Sequence, residues 1–215
     1  MKELSIKKCG NAATVSREEI ARLTEAAAWN EIDTVNWPEY PYRPSVRFRM
    51  AYNDSAFLLH YRVEEKHIRA AATVDNGEVW KDSCVEFFVL PGDDGIYYNF
   101  EFNCTGRCLL SAGLSRAGRE SAPLAVIAQI SRFSGITIDA PSTDAGNAKW
   151  EMLLAIPYTC FFKHPGFLPA GKTVRANFYK CGDDLPEPHF LSWNPVEAKQ
   201  PDFHRPECFG RVKFE

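Results

Sequence analysis

The chain has 215 residues, 45% hydrophobic and 13% aromatic, which suits one substantial core and excludes more than two small ones. Its 25 basic and 28 acidic residues give a net charge of −3 and are mixed along the chain, without the Lys/Arg run of a nucleic-acid binder. No 18-residue apolar run is present, and the first residues carry charges where a signal peptide has its apolar segment. As written, the sequence predicts a cytoplasmic protein with no membrane or nucleic-acid partner, and an extracytoplasmic one if a leader was removed.

Residues 1–29 predict an N-terminal extension that contains one short helix. Ser16 and Glu19 have the spacing of a capping box, in which a serine hydroxyl accepts a hydrogen bond from the third helical residue. Ile20 and Leu23 follow at helical spacing. We therefore expect a helix that begins after Ser16.

Residues 30–215 predict a single β domain, because apolar residues recur there with a period of two. Two hairpins are expected, one pairing 46–52 with 56–63 and the other pairing 84–90 with 96–103, each around a cluster of turn-forming residues. Further strands are predicted at 124–133, 135–140, 150–156, 173–180 and 209–214, and a short helical turn at 157–162. Many short strands and few helices predict an all-β fold, an antiparallel two-sheet β-sandwich with a short N-terminal helix.

The cysteines predict reduced thiols rather than a disulfide framework. The seven cysteines are Cys9, Cys84, Cys104, Cys108, Cys160, Cys181 and Cys208. Their number is odd, no two of them have the Cys-x-x-Cys spacing, and several stand within apolar runs. A zinc set could be drawn from Cys181, His189, His204 and Cys208, but its irregular spacing matches no ligand pattern. Neither a metal nor another cofactor is expected from these residues.

The second hairpin carries charge in the middle of two apolar strands. Alternation assigns one face of the hairpin to the core, with Val85, Phe87, Val89, Tyr98, Phe100 and Phe102. The opposite face carries Glu86, Asn99, Glu101 and Asn103, mixed with Phe88 and Tyr97, and Arg107 follows at its rim. One interpretation is a solvated sheet face whose carboxylates pair with Arg107. The other is a ligand face, because aromatic planes beside acid, amide and guanidinium groups suit the apolar side and the hydroxyls of a sugar.

The order and spacing of several segments carry a resemblance to a known family. The segments are WPEYPYRPSVRFRMAYNDSAFLLHYRV, VWKDSCVEFFV, YYNFEFNCTGR, KWEMLLAIP, RANFYKCGDDLPEPHFLSW and CFGRVKF. Together, over roughly residues 30–215, they resemble the family 9 carbohydrate-binding modules and their stand-alone relatives. The resemblance implies a jelly-roll-like sandwich that binds mono- or oligosaccharides, with a terminal ring held between two tryptophans.

Carried over by position, the resemblance implies that Trp80 and Trp193 stack on the sugar and that Glu86 and Arg107 bind its hydroxyls. Asn99 and Glu101 share the face of Glu86, and Asn194 is the amide nearest to the second tryptophan, because the family's amide before it is missing here. Structural calcium is common in the family, yet this chain has no Asp/Asn-x-Asp-x-Asp series. Calcium therefore stays open, with Asp93 and Asp94 as weak candidates, as does association with a separate glycan-degrading enzyme.

The five tryptophans are expected to divide into two groups. Trp29, Trp37 and Trp150 are interpreted as core or edge packing, because large aromatics supply buried area in any sandwich. Trp80 and Trp193 lie outside the alternating runs, so no period demands their burial and they are the better ligand platforms.

Two other function classes remain open. Glu86 and Glu101 could serve as the carboxylate pair of a glycoside hydrolase, since cross-strand neighbours lie at the required separations. Against this, a nearby Arg107 is expected to keep both acids ionised and leave no general acid with a raised pKa. An aromatic and polar face would also suit a protein partner, which makes an interaction module the third class.

Overall fold

The computed structural model describes residues 1–11, 15–138 and 148–215. The strands within those ranges are β1 (Glu3–Ile6), β2 (Asn30–Glu31), β3 (Thr34–Val35), β4 (Ser45–Tyr52), β5 (Ala56–Glu65), β6 (Cys84–Leu90), β7 (Tyr97–Asn103), β8 (Cys108–Gly113), β9 (Glu120–Ser121), β10 (Ser131–Ile138), β11 (Ala148–Pro157), β12 (Thr173–Cys181), β13 (Phe190–Ser192) and β14 (Gly210–Phe214). The helices there are α1 (Arg17–Leu23) and α2 (Leu124–Ile127), with 3-10 turns at Val79–Lys81, Tyr158–Cys160 and Pro206–Cys208. No helix in these ranges is long and apolar enough to cross a membrane.

The strands form two sheets packed face to face, which confirms the predicted sandwich. The first sheet runs in the order β1-β14-β12-β6-β7-β8-β9, with β13 pairing β12 and β3 pairing β13. The second runs β10-β11-β5-β4-β2. Pairing is antiparallel apart from β1, which lies parallel to β14.

The N-terminal residues pack onto this sandwich. Ser16 caps α1 as predicted, its hydroxyl accepting a hydrogen bond from the Glu19 amide at 3.2 Å. Ile20 and Leu23 bury the apolar side of the helix against the outer face of the second sheet. Because β1 also joins the first sheet beside β14, the segment predicted as an extension adds a strand to the first sheet and packs a helix on the second.

Both predicted hairpins are present. In the β4–β5 turn, the side-chain carbonyl of Asn53 accepts hydrogen bonds from the Ser55 and Ala56 amides, both at 2.9 Å. In the second hairpin, β6 pairs with β7, and Phe87 stands opposite Phe100. The six residues assigned to the core from alternation are all fully buried between the sheets.

The strand predicted at 124–133 is wrong. Residues Leu124–Ile127 form the short helix α2, which buries Ile127 and leaves Leu124 exposed, and β10 begins only at Ser131. A four-residue apolar run has no period that separates helix from strand, and Pro123 before it suits a helix start. The strand predicted at 135–140 belongs to β10 as far as Ile138, and its last two residues lie outside the described ranges.

A fully buried ion pair links the two sheets. The Lys180 ammonium on β12 lies 2.9 Å from a Glu65 carboxylate oxygen on β5 and 2.7 Å from the Nε2 of His189. The other oxygen of Glu65 accepts a hydrogen bond from the Trp150 indole at 2.6 Å. Burial lowers the pKa of His189 to about 2, so this imidazole is neutral beside the ammonium.

Candidate functional site

The outer face of the β6–β7 hairpin is covered rather than solvated, which corrects the interpretation of an exposed charged face. A second apolar cluster lies over this part of the first sheet, supplied by distant segments that include Trp37, Val196, Phe203 and Phe209. Beneath it, Glu86 is 2% exposed and Glu101 is 4% exposed. Charges that are this deeply buried need partners or a ligand.

A pocket opens through this cover onto the two carboxyl groups. Its aromatic lining comes from Trp80, Phe190, Phe203 and His204. Its charged lining comes from Glu86, Glu101, Arg116, Arg119, Asp183 and Asp202. The combination of ring faces with both charge signs is the chemistry that the sequence predicted for a sugar.

Glu86 and Glu101 form the floor of the pocket. They are direct register partners across β6 and β7. Burial raises the pKa of Glu101 to about 7, and burial together with the neighbouring Glu101 charge raises the pKa of Glu86 well above its ordinary value. Because both acids have raised pKa values, the expectation that a guanidinium keeps both ionised is wrong.

Two buried polar atoms on the pocket wall lack a hydrogen-bond partner among the described residues. They are the Oε2 oxygen of Glu86 and the Nη1 nitrogen of Arg119, which lies 4.0 Å from Glu101 Oε1. Asn99, which stands behind the pair, donates to the same Glu101 oxygen at 2.9 Å and leaves its own carbonyl oxygen unpartnered. Native folds rarely leave such groups unsatisfied, so these two atoms are candidates for hydrogen bonds to a ligand or a water molecule.

Trp80 lies at the pocket as predicted, in the 3-10 turn before β6. The turn is held by Asp82, whose buried carboxylate accepts hydrogen bonds from the Ala71 and Ala72 amides and from the Asn103 side chain, all at 2.9 Å, and pairs with Arg69. Although burial opposes it, these hydrogen bonds lower the pKa of Asp82. The half-buried Trp80 ring is therefore presented from a rigid turn.

Trp193 and Asn194 do not reach the pocket. Trp193 is 4% exposed and packs edge-to-face on Phe178 in the core between the sheets, with ring centroids 5.8 Å apart. Asn194 is held by the backbone, accepting from the Lys2 amide at 2.6 Å and donating to the Cys208 carbonyl at 2.7 Å. The two tryptophans therefore do not form the expected sandwich around a ring.

The reason lies in the alternation along β13. Phe190 packs with the outer cluster, whereas Leu191 and Trp193 belong to the core between the sheets. Since successive strand residues face opposite sides, the side chain that reaches the pocket from this strand is Phe190. Phe203 and His204 complete that aromatic wall.

Arg107 also lies away from the pocket. Gly106 turns the chain after β7 with a φ of 87°, and the Arg107 amide donates to the Asn103 side chain at 2.8 Å, leaving the residue exposed. Guanidinium groups reach the pocket instead from Arg116 and Arg119, in the connection between β8 and β9. Sequence reasoning missed both arginines, because a loop has no period that indicates where its side chains point.

His204 is a neutral polar group in the pocket wall. Its Nδ1 lies 3.0 Å from the Tyr97 hydroxyl, and its ring packs on Phe88. Burial, assisted by the charges of Arg119 and Arg116, lowers the pKa of His204 to about 3. It therefore offers hydrogen bonds without a charge at neutral pH.

A single metal-ligand cluster is found in the described part of the chain, and it consists of Cys84, Glu86 and Cys181. The zinc set considered from spacing is not assembled, because His189 contacts Lys180 on the interior side of β12. The calcium candidates Asp93 and Asp94 are exposed in the β6–β7 turn, where Asp94 accepts from the Ile96 amide at 3.1 Å.

The sequence matches the family model described as carbohydrate-binding family 9 over residues 17–214. This chain belongs to that family. Among curated proteins, no sequence matches this chain.

Solved structures of other proteins have a similar fold. A candidate carbohydrate-binding protein from Bacteroides uniformis ATCC 8492 is 43% identical, with a TM-score of 0.92 and coverage of 100% of this chain and 99% of that one. Two structures of a family 9 carbohydrate-binding module from Caldicellulosiruptor kristjanssonii share the fold at low identity. The complex with glucose has 10% identity, a TM-score of 0.60 and coverage of 100% and 96%. The complex with cellotriose has 11% identity, a TM-score of 0.61 and coverage of 100% and 94%.

Proposed function

We propose that this protein is a non-catalytic carbohydrate-binding domain that takes the ring of a mono- or oligosaccharide into the pocket beside Trp80. The observation that carries the proposal is the pair of unpartnered buried atoms, Glu86 Oε2 and Arg119 Nη1, on one pocket wall. An acceptor and a donor held in this way match adjacent hydroxyls, each of which can donate and accept. Membership of the family and the sugar complexes of its solved relatives support the same assignment.

Trp80 and the wall of Phe190 and Phe203 supply the apolar contact in this proposal. A glucose ring has axial C–H groups on its faces, which pack on aromatic rings, while its equatorial hydroxyls point outward to polar groups. Arg119 provides a charge-assisted hydrogen bond, and Glu86 a further hydrogen bond, that orient the ring. The second tryptophan of the expected arrangement is replaced here by phenylalanine side chains.

Glycoside hydrolysis is the alternative that the raised pKa values keep open, since a protonated carboxyl group can act as a general acid. Glycosidases, however, place their two carboxyl groups on either side of the scissile bond. Glu86 and Glu101 come from neighbouring positions of one sheet face, so both would lie beneath a bound ring. This arrangement favours binding without turnover.

The test is isothermal titration calorimetry of the purified protein with glucose, cellobiose, cellotriose and a panel of other mono- and oligosaccharides, in buffer that contains a chelator. Saturable heat with a sugar, lost in Glu86→Gln and kept in Arg107→Ala, supports the proposal. The same mixtures are then assayed for released reducing sugar. Release that depends on Glu86 and Glu101 would replace the binding function by hydrolysis, and an absence of heat across the panel would remove the sugar site.

A further inference from the structure

Two thiols and one carboxylate meet beside the pocket, and two of these three residues, Glu86 and Cys181, line it. Cys84 and Cys181 are register partners across β6 and β12, and Glu86 lies two residues beyond Cys84 on the same face. Residues at i and i+2 on one strand and opposite on the next project side by side from a sheet, so three ligands converge without any loop. Their ligand atoms all lie within 4.8 Å of one another.

The distances suit a small tetrahedral metal. Glu86 Oε1 lies 3.1 Å from Cys181 Sγ and 4.0 Å from Cys84 Sγ. Around zinc, with Zn–S bonds of about 2.3 Å and Zn–O bonds of about 2.1 Å, tetrahedral geometry separates a sulfur and an oxygen ligand by about 3.6 Å. The two observed distances lie on either side of this value, so shifts of about half an ångström would bring both sulfur–oxygen separations to it.

The pocket brings further carboxyl groups to the cluster. Glu101 and Asp183 lie close enough to act on the charges of Glu86 and Cys181, and Arg116 and Arg119 place guanidinium groups in the same pocket. Glu86 and Cys181 both line the pocket, which supplies an entry path and an open fourth position.

From this convergence we propose that Cys84, Cys181 and Glu86 form a binding site for a thiophilic divalent cation, with zinc as the best match. The cation takes Glu86 Oε1 and the two sulfurs, and a water molecule fills the position facing the pocket. Glu86 Oε2, the unpartnered atom, stays available to the sugar. The site goes beyond the proposed function and shares only one carboxylate with it.

The experiment is a titration of the reduced, metal-free protein with Co²⁺ in the absence of sugar, followed by displacement with Zn²⁺. Thiolate ligands give cobalt an intense near-ultraviolet charge-transfer absorption. We expect one equivalent of Co²⁺ to produce this band and Zn²⁺ to abolish it. Affinity should fall as the pH is lowered, because the two thiols must release protons.

Variants separate this cluster from the other thiols. Cys84→Ala combined with Cys181→Ala should lose the band, while the matched pair Cys108→Ala and Cys160→Ala, also fully buried, should keep it. Glu86→Gln, which keeps both thiols, should weaken cobalt binding by at least about tenfold, since even groups that only support a ligand contribute that much. Circular dichroism and melting curves verify that each variant is folded.

The site would be excluded if the reduced protein gave no thiolate–cobalt band, or if the band persisted without Cys84 and Cys181. Because sugar binding is measured with a chelator present, a failure of the sugar proposal leaves the cobalt result unchanged. A failure of the metal proposal likewise leaves the sugar titration unchanged.

Discussion

Glu86 on β6 and Glu101 on β7 stand directly opposite each other, and both lie beneath the cover of the first sheet's outer face. Burial raises the pKa of both carboxyl groups, and the two cannot easily ionise together because their charges would repel. The pair therefore holds a proton at pH values where exposed glutamates have lost theirs. Its protonation is a property of the pair rather than of either residue.

Replacing Glu101 tests this pair through stability. The folded-state pKa of Glu101, about 7, exceeds the ordinary value of 4.5, so the folded state binds more protons between those values and the wild type loses stability as the pH rises through them. Glu101→Gln does not titrate. We expect the unfolding free energy of Glu101→Gln, relative to wild type, to rise from about pH 4.5 to 7 and then level off. Urea unfolding at several pH values measures it, and a difference that is flat across this range would contradict the raised pKa.

Trp80 and Trp193 should respond in opposite ways to truncation. Trp80→Ala should weaken sugar binding by at least about 1 kcal/mol, roughly fivefold, with a small change in stability, because its ring is half-buried at the pocket. Trp193→Ala should lower stability by about 3–5 kcal/mol, because its ring packs in the core. Calorimetry and urea unfolding measure the two effects. Equal losses of affinity at unchanged stability would restore the arrangement with two tryptophans.

Arg119 and Arg107 provide a matched pair of guanidinium groups. Arg119→Ala removes an unpartnered donor at the pocket and should weaken sugar binding by about tenfold or more, the scale of a hydrogen bond to a charged group. Arg107→Ala should leave affinity unchanged, because that residue is exposed in the turn after β7. Sugar titrations of both variants decide which arginine binds. An effect confined to Arg107 would contradict the assignment.

Asp82 should be essential for the turn that carries Trp80. Asp82→Ala leaves two backbone amides and the Asn103 side chain without their acceptor and should lower the unfolding free energy by about 3–5 kcal/mol, as for a broken buried ion pair. Since its pKa is lowered in the folded state, this contribution should decline as the pH falls below the ordinary value of 3.8. Chemical unfolding of wild type and variant across acidic pH measures both. A cost below about 1 kcal/mol would show that the turn is held by other contacts.

The thiols should fall into two kinetic groups. All seven cysteines lie in the described ranges and are free there, five of them buried and Cys9 and Cys208 partly accessible. We expect a colourimetric thiol reagent to label at most two sites rapidly in the native protein and seven after denaturation. Fewer than seven in the denatured, unreduced protein would reveal a disulfide and overturn the prediction of reduced cysteines.

Alternation predicted more of the fold than of the site. It assigned all six core residues of the β6–β7 hairpin correctly, because a strand with one buried face has a fixed period. The same rule would have placed Phe190 outward and Trp193 inward, yet β13 has only three residues and was not recognised as a strand. The helix α2 was also missed because it is short, with only four residues.

The cover over Glu86 could not be predicted from local pattern. Its residues, such as Trp37, Phe203 and Phe209, are distant in sequence from the hairpin they bury. Arg119 reaches the pocket from a loop, whose path is set by its anchors rather than by any period. Sequence reasoning therefore found Trp80 and the residues on the floor of the pocket and missed the rest of its walls.

The parallel pairing of β1 with β14 joins residues 3–6 to residues 211–214. Contacts between positions so distant in sequence carry a loop-closure entropy cost that slows folding. During synthesis, β12 lacks β14, its neighbour in the first sheet, until Phe214 has been added. Nascent chains of this protein should thus stay without their complete first sheet until β14 has been synthesised, with the edge of β12 exposed to other strands in the meantime.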